Sequence, residues 1–173
     1  TFGVKLEDYP SHAKGMTFPN PGKVYYKEDI FVGYRGFERS KTKPLFAFGH
    51  GLSYTTFDYS NLTLSTDEIS ANETLTATVT ITNSGNRSGK EVVQLYIADP
   101  ESSIDRPVKE LKGFEKVWLK AGEKKTVTFE IDAEDLSYFD ADKHEWVAEP
   151  GKFKALIGSS SEDVKSTVNF KLN

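Results

Sequence analysis

Downstream of residue 56 apolar and polar positions alternate in short runs, and turn-forming residues separate the runs. A period of two sends successive side chains to opposite faces of an extended backbone, so each run predicts a half-buried strand. The stretch ETLTATVTITN (73–83) is the clearest: Leu75, Ala77, Val79 and Ile81 share one face, threonines take the other, and NSGNRSG supplies a turn. EVVQLYIA repeats the pattern with Val93, Leu95 and Ile97, and KKTVTFEI with Val127, Phe129 and Ile131. KFKALIG follows with Phe153, Ala155 and Ile157, and VKSTVNFKL with Val164, Val168, Phe170 and Leu172. Between them DPESSIDRP interrupts pairing, because proline lacks the ladder donor and small polar residues bond their own backbone. Helical periodicity is scarce throughout.

About seven short strands with frequent turns predict a mainly β fold, an antiparallel sandwich of the immunoglobulin or fibronectin type III-like kind, over 57–173. Two facing sheets would bury the apolar faces and leave the threonine and lysine faces wet. The chain has no cysteine, which suits the fibronectin type III side better than disulfide-bearing antibody-type domains. Trp118 and Trp146 read as core or sheet-edge anchors.

Residues 1–56 behave differently. They hold Pro10, Pro19, Pro21 and Pro44 and mix short apolar bursts with charges, without enough pattern for a layer of their own. KVYYKEDIFVGYR (23–35) reads as one strand followed by a turn. An aromatic segment without a partner predicts a partly irregular remnant, the last piece of an α/β domain whose body lies upstream. Phe18, Tyr25, Phe31, Val32 and Tyr34 are then expected to be exposed or swapped onto a neighbouring chain, so self-association through 1–56 is expected.

The net charge of −4, with acidic and basic residues interspersed, offers no surface for nucleic acid. No apolar run approaches the ~18 residues of a membrane span. The chain starts Thr1-Phe2-Gly3 and has Met16 as its single methionine, so it reads as an excerpt or a processed product. Three Asn-x-Ser/Thr sequons, at Asn61, Asn72 and Asn86, favour a secreted protein over a cytoplasmic one.

Candidate chemistry is thin. Glu28 and Asp29 are adjacent on an expected extended run and would face opposite ways. Asp140, Asp142, Glu145 and Glu149 surround Trp146 in a predicted turn, where aspartates cap their own backbone. DADKHE has Glu145 where a calcium loop of the EF-hand type needs glycine. His12, His50 and His144 lack metal-ligand spacing. No metal and no cofactor is expected, and no catalytic residue is assigned.

Four blocks then fall into one order: VYYKEDIFVGYR (24–35), PLFAFGHGLSYTTF (44–57), GKEVVQLYIADPESSIDRPVKELKGFEKVWLKAGE (89–123) and WVAEPGKFKALIGSSSED (146–163). In that order they resemble the carboxy-terminal part of glycoside hydrolase family 3 β-glucosidases, most of all fungal and similar microbial members. The resemblance implies a retaining hydrolase of terminal β-D-glucosyl residues of cellobiose and other β-glucosides, in cellulose degradation. It implies an upstream TIM-type barrel with an aspartate nucleophile and an α/β sandwich with a glutamate acid/base. Such enzymes set the two carboxyl groups roughly 5–5.5 Å apart, and both belong upstream of Thr1. This chain would then be non-catalytic, bracing those upstream catalytic domains as its partners. FAFGHGLSYTTF becomes the seam between the bodies: Gly49 and Gly51 turn the chain, Phe46, Phe48, Leu52 and Tyr54 wedge in the joint, and His50 hydrogen-bonds across it. Tyr34 and Arg35 complete the expected docking set. Two other readings compete: a carbohydrate-binding module using exposed aromatics such as Trp118 and Trp146, and an adhesion-type fibronectin domain, which leaves 1–56 unexplained.

Overall fold

The computed structural model describes residues 1–9 and 28–173. Strands β1 (Phe57–Leu64), β3 (Leu75–Asn83) and β6 (Lys124–Ile131) form one sheet in the order β1-β3-β6. β2 (Glu68–Ile69), β4 (Gly89–Ala98), β5 (Glu110–Leu119), β9 (Gly151–Ser160) and β10 (Asp163–Leu172) form the other, ordered β2-β10-β9-β4-β5. A small hairpin joins β7 (Tyr138–Asp140) to β8 (Glu145–Val147). All neighbours run antiparallel except β2, which lies parallel to the end of β10.

The sandwich follows from the alternation. Leu75, Ala77, Val79 and Ile81 are fully buried against Val93, Leu95 and Ile97 of the facing sheet, with Val127, Ile131, Phe153 and Ile157 completing the layer. Each of these side chains larger than alanine is worth about 1.5–3 kcal/mol of transfer free energy, so this face holds the register.

Departures from the period-two reading have local causes. Val164 is 36% exposed, because register shifts between Asp163 and Ser166 rotate it off the face that Phe170 and Leu172 share. β4 is buried on both sides: Gln94 is 3% exposed and Tyr96 0%, although both lie opposite the core residues. Phe114 and Trp118 point outward from edge strand β5 and are exposed, so the aromatic side chains are not confined to the apolar face. Trp118 keeps the predicted sheet-edge place; Trp146, on the hairpin, is no core anchor.

The segment before the sandwich is more structured than its pattern suggests. Within the run expected to be a strand followed by a turn, residues 28–30 turn, and Tyr34–Ser40 then form a short helix, α1, that the pattern did not predict. Phe2 pairs with Phe46, and Phe2 N–H donates to Phe46 O at 2.8 Å. Phe31, expected on the surface, is 7% exposed, with the Arg39 guanidinium 3.7 Å from its ring centroid. Val32 is exposed and Tyr34 half-buried; Phe18 and Tyr25 lie outside the described residues.

Candidate functional site

The site is a seam on the outer face of the five-stranded sheet, where α1 and the run from Phe46 to Tyr54 lie over β4 and β9. Gly33, at φ 58°, turns the chain into α1, and Lys41, in the left-handed region, ends it. The helix presents Tyr34, Arg35, Glu38 and Arg39, spaced i, i+1, i+4 and i+5 and therefore neighbours on one side.

Tyr34 is the centre of the contact between α1 and the sheet. Its ring stacks on Phe48 at 5.0 Å and stands edge-on to Tyr96 at 6.0 Å, while its hydroxyl accepts from Leu111 N–H at 2.9 Å. Beneath it the Tyr96 hydroxyl donates to Gln94 Oε1, and Gln94 Nε2 donates to Ser159 O at 2.7 Å. Burial pushes the Tyr96 phenol well above the ordinary tyrosine range, with Tyr34 and the Glu38 carboxylate adding to it, so it stays a neutral donor. Phe48 O accepts from Ser161 N–H at 2.9 Å, which pins the run to the end of β9.

Ion pairs frame this centre. Arg35 reaches Glu110 at 3.3 Å, Arg39 reaches Asp105 at 2.6 Å, and Glu38 pairs with Lys109. Glu38 and Lys109 side chains are only 8% and 10% exposed. Burial raises the Glu38 carboxyl above its ordinary value while Lys109 pulls it down. Arg106 holds the receiving loop in shape: it meets Asp99 at 3.1 Å and Glu110 at 2.8 Å, and donates to the carbonyls of Leu136 and Ser137.

Past Phe48 the chain crosses the sheet and opens a cleft of about 570 Å³ bordered by Gly49, His50, Leu52, Tyr54, Lys90 and Asp163. Gly49 has φ 79°, and a Cβ there would fall 2.4 Å from Gln94 Nε2, so both backbone angle and space demand glycine. Gly51, expected to turn the chain as well, has neither a positive φ nor a near neighbour. The His50 ring is exposed and lies 5.6 Å from that of Phe46. Leu52 and Tyr54 are 94% and 92% exposed. The run is fastened again at Thr55, whose hydroxyl donates to Asn83 Oδ1 at 2.6 Å.

The acidic residues do not converge. Asp140 Oδ1 accepts from the backbone N–H groups of Asp142 and Lys143, a turn cap, and Glu149 is bonded by Ser103 and Tyr138. No group of three or more His, Asp or Glu that could hold a metal occurs among the described residues. The sequon residues Asn61, Asn72 and Asn86 are all exposed, Asn61 at φ 54° in an irregularity of β1.

Sequence reasoning assigned no role to Glu38, Gln94, Tyr96, Lys109 or Glu110. A signal existed for two of them: VVQLYIA is nearly continuous in apolar and aromatic character, which marks a strand covered on both faces.

Comparison with known proteins decides what this seam belongs to. A family model described as a fibronectin type III-like domain matches residues 91–161. The chain is 48% identical to β-glucosidase BoGH3A of Bacteroides ovatus over 99% of its own length, which is 23% of that protein. It is 45% identical to thermostable β-glucosidase B of Acetivibrio thermocellus, again over 23% of the relative. The solved β-glucosidase 3B of Thermotoga neapolitana superposes with a TM-score of 0.88 at 43% identity, covering 99% of this chain and 23% of that one. The chain is the carboxy-terminal portion of a glycoside hydrolase family 3 polypeptide. This family 3 portion spans about a quarter of the length of the curated relatives it matches. The match includes α1 and the seam as well as the sandwich, since it runs over nearly the whole chain.

Proposed function

We propose that this portion is non-catalytic and braces the catalytic part of a retaining β-glucosidase that hydrolyses terminal β-D-glucosyl residues of cellobiose and other β-glucosides. The observation that carries the reading is the pair Leu52 and Tyr54: both are more than nine-tenths exposed, yet the run that bears them is fixed by Ser161 on one side and Asn83 on the other. Apolar side chains held out from a fastened backbone suit a docking surface, and Phe46 and Val32 extend it. Packing this surface against the rest of the polypeptide would restrict relative motion of the bodies and raise stability, with no carboxylate of this portion entering the chemistry. In this reading the boundary between the α/β remnant and the fibronectin type III-like domain falls near residue 56, and His50 stands at the joint.

The pure chain is expected to show no turnover of an aryl β-glucoside; hydrolysis abolished by an active-site inhibitor would refute the reading. In the longer polypeptide, Leu52→Ser with Tyr54→Ser should lower the melting temperature while leaving that of the chain alone unchanged. His50→Ala in the longer polypeptide should loosen docking before it alters turnover, and lost turnover at an unchanged melting temperature would reverse its assignment. If the natural protein is secreted, glycans at Asn61, Asn72 or Asn86 would appear as added mass. Self-association through the exposed Phe2, Val4 and Leu6 would appear as a concentration-dependent sedimentation coefficient.

A second reading has one observation behind it. Phe139 and Trp146 pair across the β7–β8 hairpin, edge-to-face at 5.7 Å, and both are about half or more exposed. Titration with cello-oligosaccharides tests a sugar platform: binding lost on Trp146→Ala would favour it.

A further inference from the structure

We infer that the run Asp105–Leu111, together with the outer face of β4, is a charge-reading helix dock whose ligand is α1, and that it keeps α1 on the sandwich without the covalent link through residues 51–56. The inference is independent of the catalytic reading of the longer polypeptide. It concerns which body owns α1.

Four consecutive contacts carry it. Arg39 faces Asp105, Glu38 faces Lys109, Arg35 faces Glu110, and the Tyr34 hydroxyl takes the Leu111 N–H. All three charged pairs are sign-matched, and they alternate plus, minus, plus along the helix face. A helix with the opposite pattern would meet like charges at every position. The dock is itself preorganised: Arg106, 5% exposed, grips Asp99, Glu110 and two carbonyls of the α2 segment (Ala133–Leu136) and the residue after it.

The apolar half of the contact points the same way. Gln94 and Tyr96 lie on the outward side of β4, where strand alternation would leave them wet, and they are buried because Tyr34, Phe48 and Gly49 cover them. Lys109 Nζ also lies 5.7 Å from the Tyr96 ring centroid, joining the charged and aromatic halves. Between its fastenings at Phe48 and Thr55 the tether leaves the Leu52 and Tyr54 side chains free of the sandwich. A buried ion pair, an aromatic wedge and a backbone hydrogen bond are the kinds of contact that carry most of an interface's binding energy.

The test uses the whole chain. A protease recognition sequence is placed after Leu52, the folded protein is nicked to completion, and the pieces are followed by native size exclusion and mass spectrometry. The amino-terminal piece should co-elute with the sandwich at micromolar concentration and low salt. Glu38→Lys should weaken retention at least about tenfold, and adding Lys109→Glu to that variant should restore it. If Glu38→Lys fails to fold, Tyr34→Phe, which removes only the acceptor for Leu111 N–H, should still raise the off-rate of the nicked piece. Separation of the wild-type pieces while the sandwich stays folded would overturn the dock. Retention that neither reversal nor Tyr34→Phe alters would overturn the charge and hydroxyl reading.

Discussion

The hydroxyl of Thr55 donates to Oδ1 of Asn83 at 2.6 Å, and Asn83 is fully buried at the end of the most regular strand in the molecule. The same side chain accepts from Gly85 N–H and donates to the carbonyls of Arg87 and Leu119. One amide therefore ties the incoming run, the β3–β4 turn and the end of β5 together. Alanine at 83 would leave two carbonyls and two donors short of a partner at a buried place, and should cost about 2–4 kcal/mol. Thr55→Val removes one donor and should cost about 1 kcal/mol. Urea denaturation of both variants checks the ratio, and an Asn83→Ala variant as stable as wild type would contradict it.

Two glycines at similar angles separate backbone strain from crowding. Gly122, at φ 74°, has open space around a built Cβ, so Gly122→Ala should cost only the left-handed penalty of about 1–2 kcal/mol. Gly49→Ala carries the same penalty and must also displace Gln94, which breaks the bonds to Tyr96 and Ser159. It should be the worse substitution by roughly 1–3 kcal/mol, measured as the difference in unfolding free energy.

Glu91 lies under Tyr59, whose hydroxyl donates to its Oε1 at 3.0 Å. Burial raises this carboxyl above its ordinary 4.5, outweighing the Tyr59 and Lys165 contributions that lower it. The folded state thus keeps the proton to higher pH than the unfolded chain does, and stability drawn from Glu91 falls as pH rises from about 4.5 through the raised value. Glu91→Gln keeps an acceptor for Tyr59 and removes that loss. Its melting temperature should exceed wild type at pH 7, with the gap closing below pH 4.5; a constant gap across pH would contradict the assignment.

Arg106 is nearly sealed from solvent with Asp99, and burial raises the Asp99 carboxyl while Arg106 draws it down. Arg106→Ala would leave Asp99 buried without its cation and should cost about 3–5 kcal/mol. Arg106→Lys supplies charge but cannot span Asp99, Glu110 and two carbonyls at once, so it should recover less than half of the loss in a thermal melt.

The sandwich was legible because its core is local in sequence terms. From Leu75 to Ile81 each apolar residue declares its own face, and no distant partner is needed to place it. The expected joint came from the family resemblance and not from the glycines and aromatics of FAFGHGLSYTTF alone; the structure has Gly49 turn the chain over Gln94. The role of Gly51 did not follow from composition, since two glycines two residues apart look alike until one meets a neighbour. Seven residues of α1 are too few to show helical periodicity, and isolated helices of that length do not hold themselves together, so nothing local announced it.

The period-two alternation by itself determined the β-sandwich, its inward faces and the turns between strands, because strand geometry turns sequence parity into side of the sheet. Only the tertiary structure decided the rest: that Gln94 and Tyr96 are buried, that Glu38 meets Lys109 71 residues away, and that Val164 leaves the face its parity assigned. Those outcomes depend on which surface another segment covers and on where a bulge shifts register. Both are relations between parts of the chain distant in sequence; the near-continuous VVQLYIA marks β4 as covered on both faces but does not say which segment covers it.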